Sequence, residues 1–459
     1  MANTNEISLE DKRTKLLEAP VEGLILRLAI PTIISMLISS FYNMADTYFV
    51  GRTEDSIVST GAVGVVFSLM AVIQAFGFLF GHGSGNYMSR RLGSGDTEDA
   101  AYMANTGFFT ALIIGSLISI VGIIFIKPLA LLLGSTELIL PKAIDYMTYI
   151  LLGAPFFMGS LVLNNQLRYQ GSAFFAMIGI TTGAILNMIL TPLFIFKFNL
   201  DVKGAGIGTC ISQIMSFIVL IIGVYKSDAI NINIKKFKPS IDKYKEMIAG
   251  GVPSLFRQSI ASLATICLNF SAQPFGEVAI ASMAIVSRII MFANSAVVGF
   301  GQGFQPVCGF NFGAGRYDRV LKAFWFCVKL SLVVLAIISV IGYIFAPDLV
   351  AIFSKGSSSV HDIGGTALRF QCILFPINSF MVISNMLLQT IRKPIKASIL
   401  AISRQGIIFI PLVIVLPKFL GIRGIQIAQP ISDLVTLMLA IIIQIPVLKE
   451  LKRGYIEEN

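Results

Sequence analysis

The sequence predicts an all-α membrane protein with about twelve transmembrane helices in two pseudo-symmetric six-helix bundles. Three observations carry this. The chain is poor in charge, it holds long stretches with none, and its two halves repeat each other. Of 459 residues, 55% are hydrophobic and only 13% charged, where a soluble domain has about 25%. Mean hydropathy is +0.81.

Ala100–Ile126, Tyr146–Leu167, Tyr169–Phe196, Gly204–Tyr225, Ile289–Gly315 and Phe370–Ile391 contain no Asp, Glu, Lys or Arg. Each meets the roughly 20 residues that a helix needs to cross hydrocarbon, where every backbone group must be bonded internally. Short alternating runs of the β-barrel kind are absent. Reading along the chain places spans near 24–50, 56–82, 100–126, 140–164, 171–196, 204–225, 246–272, 278–304, 320–346, 364–388, 395–417 and 424–447. Residues 24–225 then form one lobe and 246–447 the other. They are joined by the polar loop 226–245 and flanked by segments 1–23 and 448–459.

An even number of spans puts both ends of the chain on one side. Sorted by the loop each lies in or beside, and with five bases of the second-half spans set aside, the Lys and Arg residues divide 22 to 8, with Lys355 among the eight. The richer side is expected to be cytoplasmic. Net charge +10 is thus explained by topology, and no nucleic-acid partner is expected. The five cysteines are scattered with no CxxC pair, and two histidines are too few for a metal cluster. The start is mixed in charge and lacks a small-residue cleavage site, so no removable signal peptide is expected. An enzyme would need a nucleophile–base pair, a metal cluster or a cofactor loop, and none is visible. Gly301–Pro306 is spaced like a nucleotide loop, but no strand precedes it.

The halves repeat at a shift of about 220. GHGSGNYMSRRLGSG (81–95) aligns with GQGFQPVCGFNFGAG (301–315), with glycines matching at 81/301, 83/303, 93/313 and 95/315. KGAGIGTCIS (203–212) aligns with RGIQIAQPIS (423–432), and prolines recur at 31/253 and 155/376. Duplication of a six-helix unit gives parallel repeats about an axis along the membrane normal. Two such bundles can rock about a central cleft, which is a transporter architecture.

The segments AIPTIIS (29–35), ADTYFVG (45–51), LRYQGSAFFAM (167–177), GVPSLFRQS (251–259), GQGFQPVCGFNFGAG (301–315) and GIRGIQIAQPISD (421–433) resemble the multidrug and toxic compound extrusion (MATE) family. That family belongs to the wider superfamily of oligosaccharide and lipid flippases. The resemblance spans nearly the whole chain. It implies a V-shaped, alternating-access carrier in the plasma membrane, acting as a monomer without a cofactor. It further implies export of amphipathic, often cationic, small molecules against H⁺ or Na⁺.

Asp46 is the only charge between Leu28 and Gly51. A charged side chain at mid-membrane costs about 2.5–3.5 kcal/mol on insertion scales. A carboxyl there can be protonated, or ionised beside Na⁺ or a cationic ligand. An antiporter needs such competition for one negative charge, and the membrane potential adds about 2.3 kcal/mol per charge per 100 mV. The resemblance implies partners. Relatives set an Asn and a second Asp one turn apart on the fifth helix, and a Thr on the sixth. Here Asn187 matches, Thr191 stands where the second acid would be, Thr209 matches the Thr, and Asn164 matches an Asn on the fourth helix. Na⁺ at Asp46 is therefore one option. The competing view is a hydrated structural aspartate near the outer surface, because Arg52, Glu54 and Asp55 follow closely.

In the second half Arg257, Arg288, Lys329, Arg369 and Arg404 fall within spans, with one mid-span acid, Asp433. They are expected to face the interior or the cleft, with Asp433 pairing at least one base as a structural bridge. The surplus of positive charge supports an alternative: a flippase or exporter of anionic lipid-linked or acidic compounds. Gln302 and Gln305 are candidates to line the cleft. The glycines around them are expected to permit a helix break or a tight helix contact.

Overall fold

The computed structural model describes residues 2–53, 56–353 and 358–458; Glu54, Asp55 and Lys355 lie outside them. The first lobe follows α1 (Ala2–Glu18) and comprises α2 (Val21–Val50), α3 (Ser56–Ser94), α4 (Thr97–Ile124), the short α5 (Ile126–Leu132), α6 (Leu140–Tyr169), α7 (Ala173–Pro192) and α8 (Asp201–Lys226). The second comprises α9 (Ile241–Ala272), α10 (Glu277–Gly313), α11 (Tyr317–Ile344), the short α12 (Ala346–Ala351), α13 (Ser358–Leu374), α14 (Asn378–Thr390), α15 (Pro394–Ile402), α16 (Phe409–Leu420) and α17 (Ile422–Glu458). A 3₁₀ turn at Phe375–Ile377 joins α13 to α14 into one crossing. A π turn at Ser403–Ile407 joins α15 to α16, and another at Leu193–Lys197 continues α7.

Eleven of these segments are long and apolar enough to cross a membrane. The 32-residue α9 has the length of a twelfth crossing, with Asp242, Lys243, Lys245 and Glu246 crowded into its first turns. The helices α3 and α10 run beyond the expected spans, through the glycine-rich stretches to Ser94 and Gly313. Polar starts are capped: the Asp96 side chain accepts from Asp99 N ahead of α4, and Ser240 accepts from Lys243 N ahead of α9.

Within the first lobe α6 is central, packing on α3, α4, α7 and α8. Between lobes, α2 packs on α10, and α3 packs on both α9 and α10. Two of the repeated glycines explain how closely α3 and α10 meet. A Cβ on Gly93 would lie 2.1 Å from the Phe310 carbonyl, and one on Gly313 would lie 2.0 Å from the Arg90 carbonyl. Each repeat's glycine admits the other repeat's backbone. The helices are unbroken there, so of the two expected roles it is the tight contact that is observed.

That end of the molecule also carries α1 and the last turns of α17. Two ion pairs cross between lobes here, Lys243–Asp99 at 2.5 Å and Arg90–Glu246 at 3.5 Å, and Arg392 of the second lobe shares the same Glu246. The α1 helix straddles the seam. Its Lys12 donates to Ser172 Oγ at 3.1 Å and Arg13 to the Gly93 carbonyl at 3.1 Å on the first lobe. From the second lobe, Asn311 donates to the Leu16 carbonyl and Arg319 to that of Ala19. The lobes are thus shut against each other at this end.

Candidate functional site

Asp46 sits one turn from the far end of α2, half-buried, facing α7 and α8. Its Oδ1 accepts from Thr191 Oγ1 at 3.3 Å. Thr191 Oγ1 is also 3.0 Å from Asn187 Oδ1, and Asn187 Nδ2 donates to Thr209 Oγ1 at 3.0 Å. Asn187, Thr191 and Thr209 are each 2% exposed or less. The spacing of four residues between Asn187 and Thr191 puts both on one face of α7. Three of the four coupling candidates beyond Asp46 are therefore brought to it in a single chain of hydrogen bonds. Among the described residues no Lys or Arg is ion-paired with Asp46.

The fourth candidate, Asn164, is not part of that chain. Its Nδ2 donates to the Ala176 carbonyl at 3.0 Å, tying α6 to α7. The second lobe repeats this bond: Asn385 Nδ2 donates to the Ala397 carbonyl at 2.7 Å. A side-chain amide already holding a neighbouring helix's carbonyl is a packing device. Its recurrence 221 residues later fits a structural role in both lobes.

Two residues of the site were not picked out from sequence. Tyr42 lies one turn before Asp46 on α2, a spacing that would have flagged it. Tyr146, on α6, is 1% exposed and beside Thr209; only tertiary packing brings it there.

The second lobe handles its acid differently. Arg404 Nε donates to Asp433 Oδ1 at 2.8 Å, and Arg404 Nη2 lies 3.5 Å from Oδ2. Gln429 Nε2 donates to Asp433 Oδ1 at 2.7 Å. Asp433 is 4% exposed, so this is a closed, charge-neutral unit inside the bundle. The remaining basic candidates do not assemble into a cavity around it. Arg288, Lys329 and Arg369 are exposed, so they are not packed inside the second bundle. Arg369 reaches the Tyr343 carbonyl at 3.4 Å near the end of α11. Arg257 is half-buried, 3.5 Å from Asn385 Oδ1. Gln302 and Gln305 are 5% and 0% exposed, so both are packed away instead of lining an open cleft.

A family model described as MatE matches the chain twice, over residues 31–193 and 253–415. The chain is 28% identical over 420 residues to the multidrug export protein MepA of Staphylococcus aureus (strain MRSA252), a match covering 89% of this chain and 90% of that protein. It is 27% identical over 427 residues to the MepA of Staphylococcus haemolyticus (strain JCSC1435), covering 93% and 94%. Among solved structures it is similar to an outward-facing multidrug resistance MATE family transporter of the MOP superfamily. That match has 26% identity and a TM-score of 0.90, covering 96% of this chain and 98% of the other.

Proposed function

The chain belongs to the MatE family, and on that premise we propose that it exports amphipathic, mainly cationic, drugs or toxins across the plasma membrane by cation-coupled antiport. The observation that carries the coupling site is the chain Asp46–Thr191–Asn187–Thr209.

A threonine hydroxyl has one proton to donate. Thr191 has two acceptors in reach, Asp46 Oδ1 and Asn187 Oδ1. When Asp46 is ionised, Thr191 donates to it, and Asn187 Oδ1 is left without a donor. When Asp46 is protonated, its own O–H donates to Thr191, and Thr191 turns to Asn187. The network is satisfied with the proton aboard and one donor short without it. A cation restores the balance in the second case. Na⁺ would find oxygens from Asp46, Asn187 and the two threonines, the ligand type that hard cations take. A cationic drug would instead use the carboxylate charge alone. Proton or Na⁺ on one side and drug on the other thus compete for the same group.

Alternating access follows from the lobe packing. The lobes are sealed by Gly93, Gly313 and the ion pairs at the end that carries α1, which charge placement makes cytoplasmic. Opening that seal while closing the opposite end carries cargo outward, by rocking of two bundles. A monomer contains the whole pathway.

Everted membrane vesicles in a medium containing ethidium test the reading, since export there appears as uptake. Imposed H⁺ and Na⁺ gradients, applied separately, identify the coupling ion by which one drives ethidium movement. No response to either gradient would overturn coupled antiport.

A further inference from the structure

Arg168 stands at the last turn of α6, where its charge sorts with the loop cations in sequence. In the fold it is 1% exposed. Its Nη2 donates to Asn165 Oδ1, and the guanidinium carbon lies 5.1 Å from the Tyr169 ring centre. Its Nε and Nη1 have no acceptor. A guanidinium cannot escape by losing its proton, and a buried charge needs a counter-charge.

None is nearby among the described residues. The neighbouring charge is another cation: Arg257 of α9 lies within electrostatic reach of both Arg168 and Tyr169. The acids of this end are engaged elsewhere, Glu246 with Arg90 and Arg392, and Asp99 with Lys243 and Arg91.

The surrounding groups are also donors. Gln389 Nε2 donates to the Gly250 carbonyl and to Ser254 Oγ, at 2.7 and 2.8 Å. Ser254 Oγ is 3.0 Å from His82 Nδ1. The other ring nitrogen, Nε2, is buried and has no hydrogen-bond partner. His82 lies against Tyr169, ring centres 6.2 Å apart. The Tyr169 hydroxyl is near Asn86 without a well-formed hydrogen bond. The cluster spans the seam: His82, Asn86, Arg168 and Tyr169 belong to the first lobe, Ser254, Arg257 and Gln389 to the second.

We infer that this seam holds a binding site for one small monovalent anion, between Arg168 of one lobe and Arg257 of the other. Water could serve the unpartnered donors but would not neutralise two cations. An anion bridging both lobes favours the state in which this end is shut. The site is separate from Asp46 and does not depend on the coupling proposed there. Its ligand chemistry, compact and singly negative, suits either a resident halide or a carboxylate group of a cargo molecule.

The test is thermal unfolding of the full purified chain at fixed Na⁺ and ionic strength. Gluconate, too bulky for the site, is exchanged stepwise for chloride or for formate. A saturable rise in midpoint with either anion is expected. A rise with chloride alone indicates a resident halide, and one with formate as well admits a cargo carboxylate. Arg257→Gln removes one charged donor, worth about 1.5–3 kcal/mol, so the apparent affinity should fall about 10- to 100-fold. Arg257 is half-buried, so this variant carries the test if Arg168→Gln does not fold. Equal midpoints in gluconate, chloride and formate would overturn the site, as would an Arg257→Gln variant that responds as the wild type does. Crystals grown in bromide should show an anomalous peak between the two arginines.

Discussion

Each lobe sets one acid among the helices of its bundle, Asp46 half-buried and Asp433 buried, and the two are held in opposite ways. Asp433 is closed off by Arg404 and Gln429. Asp46 accepts from the Thr191 hydroxyl and has no ion-paired basic partner among the described residues. A fixed counter-charge makes an aspartate part of the framework. Without one, its balancing charge has to come from outside, and that charge can be exchanged. The packing features of the duplication survive in both lobes: the Asn164 and Asn385 amides hold matching carbonyls, and Gly93 and Gly313 admit each other's helix. Divergence is concentrated in the charges. On the coupling proposed above, the first lobe carries the exchangeable site and the second a fixed ion pair.

The sharpest way to break this comparison is Asp46→Asn. Gradient-driven ethidium efflux should fall at least about 100-fold, the kinetic equivalent of about 3 kcal/mol, with the unfolding midpoint little changed. Unimpaired efflux would remove the distinction between the lobes. Asp433→Asn should do the reverse. It leaves Arg404 buried without its partner, a cost of about 3–5 kcal/mol in stability. A double substitution of Asp433 and Arg404 by apolar residues of similar volume should recover most of that. Chemical unfolding of the three proteins measures both effects.

The relay predicts an intermediate effect. Thr191→Val removes the switching hydroxyl, worth about 1–2 kcal/mol, so coupled efflux should drop about 5- to 30-fold, whereas Thr191→Ser should retain it. The smallest effects should be the most symmetrical. Asn164→Ala and Asn385→Ala each lose one amide–carbonyl bond, part-buried in the first lobe and buried in the second, costing about 1–2 kcal/mol, and should be similar. If Asn164→Ala instead abolished coupling with stability intact, it would return to the coupling site.

Much of this was legible because hydrocarbon restricts composition so tightly. Uncharged runs fixed the spans, and Asp46 stood out as a lone acid among them. Helix ends were less legible. The helices α3 and α10 continue through glycine-rich, polar stretches because those residues pack against the opposite lobe, and no local pattern announces that. The α1 helix was invisible for a related reason: its mixed charges form no apolar run, and its hold on the fold is a set of contacts to residues more than 70 positions away. Residue type alone could not say that Arg288, Lys329 and Arg369 are exposed instead of packed within the bundle. It also placed Arg168 among loop charges, although the meeting of two lobes buries it. Tyr146 joins the site only through the packing of α6 on α8.

The central claim is exchange at one carboxylate, and ion release on ligand binding tests it most directly. Purified protein in weakly buffered solution, loaded with ²²Na⁺ in a parallel experiment, is mixed with a saturating cationic ligand. The wild type should release about one H⁺ or one Na⁺ per ligand bound, since a single carboxylate holds one unit of charge, and Asp46→Asn should release none. Equal release from both proteins would contradict the account.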